Sequence, residues 1–138
     1  MALGVIMRFP SLEWAQMLCS KINDISLDEI KSWNWDILFI LKNVRNDEDM
    51  RFKVNIQAGK CLGVEEGVVL DADYIIEGDY SIWKQILFGE LDLAMALLSG
   101  KLRLIKGDRL NLIKHIRAAV IIANIIRAQG ITKDIEVL

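Results

Sequence analysis

The chain has 138 residues, 53% of them hydrophobic and 26% charged, with a single proline; this composition fits one domain with a real core and excludes disordered and fibrous classes. Net charge is −2 and mean hydropathy +0.29, yet the longest charge-free stretch near the C-terminus, Ala118 to Ile126, has nine residues, where a membrane helix needs roughly 20. The opening MALGVIMRF has no basic segment ahead of its apolar run and no small-residue cleavage site, so no secretory signal and a cytoplasmic location are expected. Cys19 and Cys61 are read as buried or idle thiols, because disulfides are rare inside cells.

In chain order, Ser11 is placed to cap a helix from about Leu12 to Asn23, with Trp14, Met17 and Leu18 at helical spacing. A second short helix is signalled by Ser26 and Glu29, a capping-box pair. The period then changes to two. Trp33, Trp35, Ile37, Phe39 and Leu41 fall on one side of a strand, and Phe52, Val54 and Ile56 alternate with polar residues on the next. The run NVRNDEDM between them reads as a hairpin loop, with Asp47, Glu48 and Asp49 as solvated turn residues and Glu65 and Glu66 as another turn. A strand over Asp73 to Glu77 ends at Gly78, Asp79 caps a helix over Tyr80 to Phe88, and a further helix over Leu91 to Ser99 ends at Gly100. Lys101 to Lys106 forms the last strand, and Asp108 caps a long helix to about Ala128.

That last helix changes character along its length. One face, Leu112, Ile116, Ala119, Val120 and Ala123, is apolar throughout, while the opposite face begins with Lys114 and Arg117 and turns apolar at Ala118, Ile121, Ile122 and Ile125. A helix apolar on all sides is buried on all sides, so its second half calls for a ligand, a partner subunit or a covering segment. Charge is segregated too. Residues 1–100 carry 9 basic and 16 acidic groups, and residues 101–138 carry 8 basic and 3 acidic ones. A basic region on an acidic body can meet phosphates or an anionic membrane surface.

Catalytic chemistry finds little support. His115 is the only histidine, and spacing gives it no partner for acid–base work; with two distant cysteines it makes no recognisable zinc site. The sequence has no phosphate-binding glycine loop and no serine elbow. The carboxylates of the turns lack the distinct environments that would separate their pKa values. No cofactor or metal is expected, and nucleic-acid binding is disfavoured by the absence of a dense basic stripe with interleaved aromatics.

From ADYIIEGDYSIW through LFGELDLAMALLSGKLRLIKGD, the chain resembles the sterol carrier protein 2 domain. The residues that carry the resemblance are Ala72-Asp73, Gly78-Asp79, Gly89, Ala96, Gly100-Lys101-Leu102 and Gly107-Asp108, with Gly89 eleven and Ala96 four residues before Gly100. The interval from Gly100 to Gly107 is one residue longer than usual for the family, which points to a bulge near Ile105 and Lys106. The resemblance implies a single α+β domain over residues 1–138, with about ten residues peripheral at each end. Its five-stranded, mainly antiparallel sheet would be covered on one side by helices, with an apolar tunnel between the layers.

The implied function is non-catalytic: binding or transfer of a fatty acyl, isoprenoid or sterol-like ligand, acyl-CoA included. The expected lipid-binding residues are Trp83, Leu87, Phe88, Leu93, Leu97, Leu98, Leu112, Ile116 and Val120. Little head-group discrimination is expected, because no polar constellation is evident. Lys101, Arg103, Lys106 and Arg109 favour an acidic head group or transient contact with an anionic membrane, but alternate strand residues point to opposite faces, so not all four converge. The competing expectation is an interaction module, a homodimer or a support for a partner enzyme of lipid or isoprenoid metabolism, acting through the C-terminal helix.

Overall fold

The computed structural model describes residues 7–24, 31–67, 71–115 and 135–137. The elements are β1 (Met7–Phe9), α1 (Leu12–Asn23), β2 (Trp35–Arg45), β3 (Glu48–Gln57), β4 (Lys60–Glu66), β5 (Tyr74–Asp79), α2 (Tyr80–Leu87), α3 (Leu93–Leu98), β6 (Leu102–Lys106), the start of α4 over residues 109–115, and β7 (Ile135–Val137). The short helix expected around Ser26 and Glu29, and α4 beyond His115, lie outside the described residues. Among those described, five strands form one open sheet in the order β4-β3-β2-β5-β6. Only the β2–β5 pairing in it is parallel, so the fold is α+β with a mainly antiparallel sheet. None of the described helices is long and apolar enough to cross a membrane.

The period-two pattern becomes one apolar face. Ile37 opposes Val54 and Phe39 opposes Phe52 across β2 and β3, while Ile76 of β5 lies beside Phe39. Leu41, Phe52, Ile76 and Leu102 are buried in a cluster with Tyr80 and Trp83 of α2 and Ala96 of α3. Leu38, of the opposite parity, is also buried. Side-chain oxygens at Ser11, Asp79 and Asp92 accept from the first-turn amides of Trp14, Ser81 and Met95, fixing the starts of α1, α2 and α3. The cap at Asp92 starts α3 two residues later than the apolar run suggests.

The β2–β3 connection is tighter than its polar sequence predicts. The strands run to Arg45 and resume at Glu48, leaving Asn46 and Asp47 with φ of 49° and 62°. Two central residues at positive φ are what a two-residue hairpin matching the strand twist requires, and Asn and Asp tolerate that conformation. Asp49 is therefore a strand residue, bridging Lys42 at 3.0 Å and Arg51 at 3.7 Å while accepting from the Asn43 amide. Burial pushes its carboxyl up, but those bonds and charges together hold it below the ordinary value. Glu65 and Glu66 likewise belong to β4, opposite Lys53 and Phe52.

Cys19 and Cys61 are joined in a disulfide, which corrects the expectation of idle thiols. They are 42 residues apart in sequence, but α1 packs against β4 and brings their Cα atoms to 5.3 Å. Asn23 reinforces the junction: its carboxamide donates to the Cys61 carbonyl at 2.9 Å and accepts from the Cys61 amide at 2.8 Å. Strands from the two ends of the chain also meet, since β1 and β7 pair in parallel and Phe9 is buried in the main core.

Candidate functional site

The site begins at the edge strand. After α3 the chain turns through Ser99, Gly100 and Lys101 into β6, then reverses at Gly107 into α4. Gly107 has φ +117°, and a Cβ there would lie 2.3 Å from the Tyr74 ring; both conformation and space demand glycine. The chain can thus fold tightly over Tyr74, and Asp108 caps the new helix by accepting from the Leu110 amide at 3.0 Å. β6 carries the expected bulge. Ile75 pairs with Lys106 but Ile76 with Leu104, so Ile105 is the extra residue, and it is exposed.

α3, β6 and the first turns of α4 enclose a groove of about 470 Å3, within the usual range for small-molecule sites. Its lining is Ala94, Leu97 and Leu98 from α3, Ser99 and Gly100 from the turn, Leu102, Arg103 and Leu104 from β6, and Arg109, Leu112 and Ile113 from α4. Leu102 and Leu112 are buried, whereas Leu98 is 58% and Ile113 39% exposed. The groove has an apolar floor and unpacked leucine and isoleucine side chains at its rim.

The α4 wall is held from its other side by polar contacts. The Trp33 indole donates to His115 Nδ1 at 2.9 Å, and the Asn111 carboxamide donates to the Tyr74 hydroxyl. Trp33 stacks on Trp35, which meets Tyr74 edge to face. His115 thus has the partner that sequence spacing did not reveal, in a structural contact. At the other end of β5, Asp79 accepts from the Ser81 hydroxyl at 2.6 Å and the Asn43 carboxamide at 3.1 Å. These bonds, with the Ser81 amide, hold its carboxyl below the ordinary value. Asp79 is a helix cap away from the groove lining.

Of the nine expected lipid-binding residues, the structure brings Leu97, Leu98 and Leu112 together in the groove. Trp83 is buried against the sheet, its indole donating to the Ile40 carbonyl at 3.1 Å and meeting Phe39 edge to face. Leu87 and Leu93 pack against the main core, and Phe88 is an exposed C-cap of α2; none of these four lines the groove. Ile116 and Val120 lie outside the described residues. Ala94, Leu102, Leu104 and Ile113 were absent from the expected set. The glycine pair bracketing β6 is the sequence signal that could have found them, because it marks where α3 and α4 converge on one strand.

No protein-family model matches the chain, and no curated protein sequence matches it. Solved structures do. The crystal structure of sterol carrier protein 2 superposes with a TM-score of 0.77 at 24% identity, covering 85% of this chain and 95% of that one. A conserved hypothetical protein from Thermus thermophilus gives 0.77 at 25% identity, covering 90% and 91%. Palmitated SCP2L2 from Aedes aegypti gives 0.60 at 16% identity, covering 75% and 88%. The chain therefore has the sterol carrier protein 2 fold.

Proposed function

We propose that the protein is a non-catalytic lipid carrier that holds the hydrocarbon tail of a long-chain lipid in the groove between α3, β6 and α4. The observation carrying this reading is the groove itself: about 470 Å3, lined chiefly by apolar side chains of which Leu98 and Ile113 remain exposed. Ordinary core packing leaves few voids larger than a water molecule. The shared fold with sterol carrier protein 2, and with the palmitated Aedes aegypti protein, supports the same assignment.

The energetics suit a permissive carrier. Each buried methylene is worth roughly 0.8 kcal/mol, so a tail of about 16 carbons supplies on the order of 12 kcal/mol before association and ordering costs. A fatty acyl chain or a linear isoprenoid supplies such a tail, and holding it requires no reacting group. Titration of delipidated protein with a fluorescent fatty acid is expected to saturate at one site per chain and to be reversed by unlabelled fatty acid. Absence of saturable binding across acyl, isoprenoid and sterol probes would contradict the carrier reading and favour an interaction module.

A further inference from the structure

One wall of the groove is held by a histidine that does not line it. α4 supplies Leu112 and Ile113 to the lining, and one turn beyond Leu112 the His115 Nδ1 accepts from the Trp33 indole at 2.9 Å. The donor is fixed in place. Trp33 is 4% exposed and packs with Cys19, Val54, Ile56 and Cys61, while its carbonyl accepts from the Gly59 amide at 3.0 Å. A second polar tether described between α4 and the sheet joins Asn111 to the Tyr74 hydroxyl.

An indole N–H can only donate, so the Trp33–His115 bond exists only while Nδ1 carries a free lone pair and the imidazole is neutral, protonated at Nε2. A proton added at Nδ1 sets N–H against N–H. The contact then has to open, and because Trp33 is locked in the core, the part that gives is α4. Little offsets the loss. Trp33 turns its N–H edge to the imidazole, and the Trp35 ring is tilted at 48° with its centroid 6.2 Å away, beyond the roughly 6 Å reach of a cation–π contact. None of the described carboxylates pairs with His115. Asp36 has the opposite parity to Trp35 and is paired with Lys53 at 3.6 Å; Asp73 accepts from the Asp36 amide; and Asp108 is occupied as the cap of α4. The remaining charged groups on the segments around the imidazole are cations, Lys31 ahead of Trp33 and Arg109 and Lys114 on α4.

We propose that the Trp33–His115 bond is an acid-released latch on the groove: with His115 neutral it holds α4 against the sheet, and protonation of His115 frees that wall and lets the lipid leave. The inference rests on the carrier reading and adds regulation of the same groove. Its sign follows from the bond. The latch is closed above the range in which histidine ordinarily titrates, about pH 5–8, and opens as the pH falls through it.

The test uses ligands that do not ionise, diphenylhexatriene as fluorescent probe and dodecanol as competitor, so that any pH dependence belongs to the protein. Between about pH 7.5 and about pH 5, dodecanol affinity is expected to fall at least fivefold, the low end of ordinary coupling between two sites. The loss should track the His115 ring signals in nuclear magnetic resonance, and the Trp33 indole N–H signal of delipidated protein should move in the same step. His115→Gln, whose amide oxygen accepts from the indole without titrating, is expected to bind dodecanol equally at both pH values; His115→Phe, which offers no acceptor, should bind weakly at both. Circular dichroism and melting establish that each variant is folded at both pH values, and the wild-type measurements stand without them. A wild-type affinity that stays constant over this range would overturn the latch and leave the carrier reading standing, as would an equal loss in His115→Gln. Failure of the probe to bind at the higher pH would overturn the carrier reading; the latch itself would then be overturned by a Trp33 indole signal that does not respond as His115 titrates.

Discussion

Gly78 and Leu98 make opposite demands on their surroundings. A Cβ at Gly78 would lie 2.2 Å from Leu102 Cδ2 and 3.3 Å from Trp83 Nε1, so the absence of a side chain lets the Trp83 indole reach the Ile40 carbonyl and seats α2 on the sheet. Trp83, expected in the lipid site, is thereby committed to the core. Leu98, by contrast, lines the groove with 58% of its surface exposed. Adding bulk inside a packed core costs about 1–3 kcal/mol; at an exposed rim the added indole occupies ligand space instead. Leu98→Trp is therefore expected to change the unfolding free energy of delipidated protein by less than about 0.5 kcal/mol. Lipid affinity should fall at least tenfold, equivalent to about 1.4 kcal/mol. Denaturant unfolding and ligand titration on the same delipidated sample check both halves, since bound lipid would itself stabilise the fold. Marked destabilisation with unchanged affinity would place Leu98 in the core.

Among the elements, those with a sustained period were legible. The alternation over residues 33–41 and 52–56 specifies β2 and β3, and the capping side chains at Ser11 and Asp79 specify the starts of α1 and α2, whereas the apolar run that marks α3 hid its cap at Asp92 and placed the helix start two residues early. The bulge in β6 was legible from an interval one residue too long. The corresponding bulge in β4, where Asn55 pairs with Gly63 and Ile56 with Cys61, leaves Leu62 60% exposed and has no comparable signal. Strands β1 and β7 are three residues each, too short to carry a period. The disulfide was illegible for a different reason, since it depends on α1 lying against β4, a tertiary fact. Closing a loop of 42 residues corresponds to about 4 kcal/mol in the chain-entropy account, with about 2–4 kcal/mol typical. Cys19→Ala/Cys61→Ala is accordingly expected to lose about 2–4 kcal/mol in denaturant unfolding while staying folded, because the two Asn23 hydrogen bonds to Cys61 remain. Two freely titrating thiols in the unreduced native protein would contradict the bridge. The expectation of idle thiols rested on the rarity of disulfides inside cells, and the bridge overturns it.

For the whole molecule, the acidic body and basic C-terminal third seen in the sequence take on a spatial meaning. Asp49 engages Lys42 of β2 and Arg51 of β3, Asp36 engages Lys53 of β3, and Asp71 engages Lys106 of β6, whereas Arg103 of β6 and Arg109 of α4, both among the groove-lining residues, have no ion-pair partner among the described residues. α3 and β6, adjacent in sequence, both contribute walls to that groove. Composition and spacing could indicate that such a surface exists, but not which leucines turn toward it: Leu87, Leu93 and Leu97 share a hydrophobic character, and only Leu97 lines the groove. The proposed seating of a lipid tail in the groove is tested most directly by intermolecular nuclear Overhauser contacts between a saturated fatty acid and delipidated protein carrying labelled leucine and isoleucine methyls. Contacts from Leu97, Leu98, Leu102, Leu104, Leu112 and Ile113 are the predicted result; saturable binding with contacts confined to other methyls, such as those of Leu62 or Ile75, would contradict it.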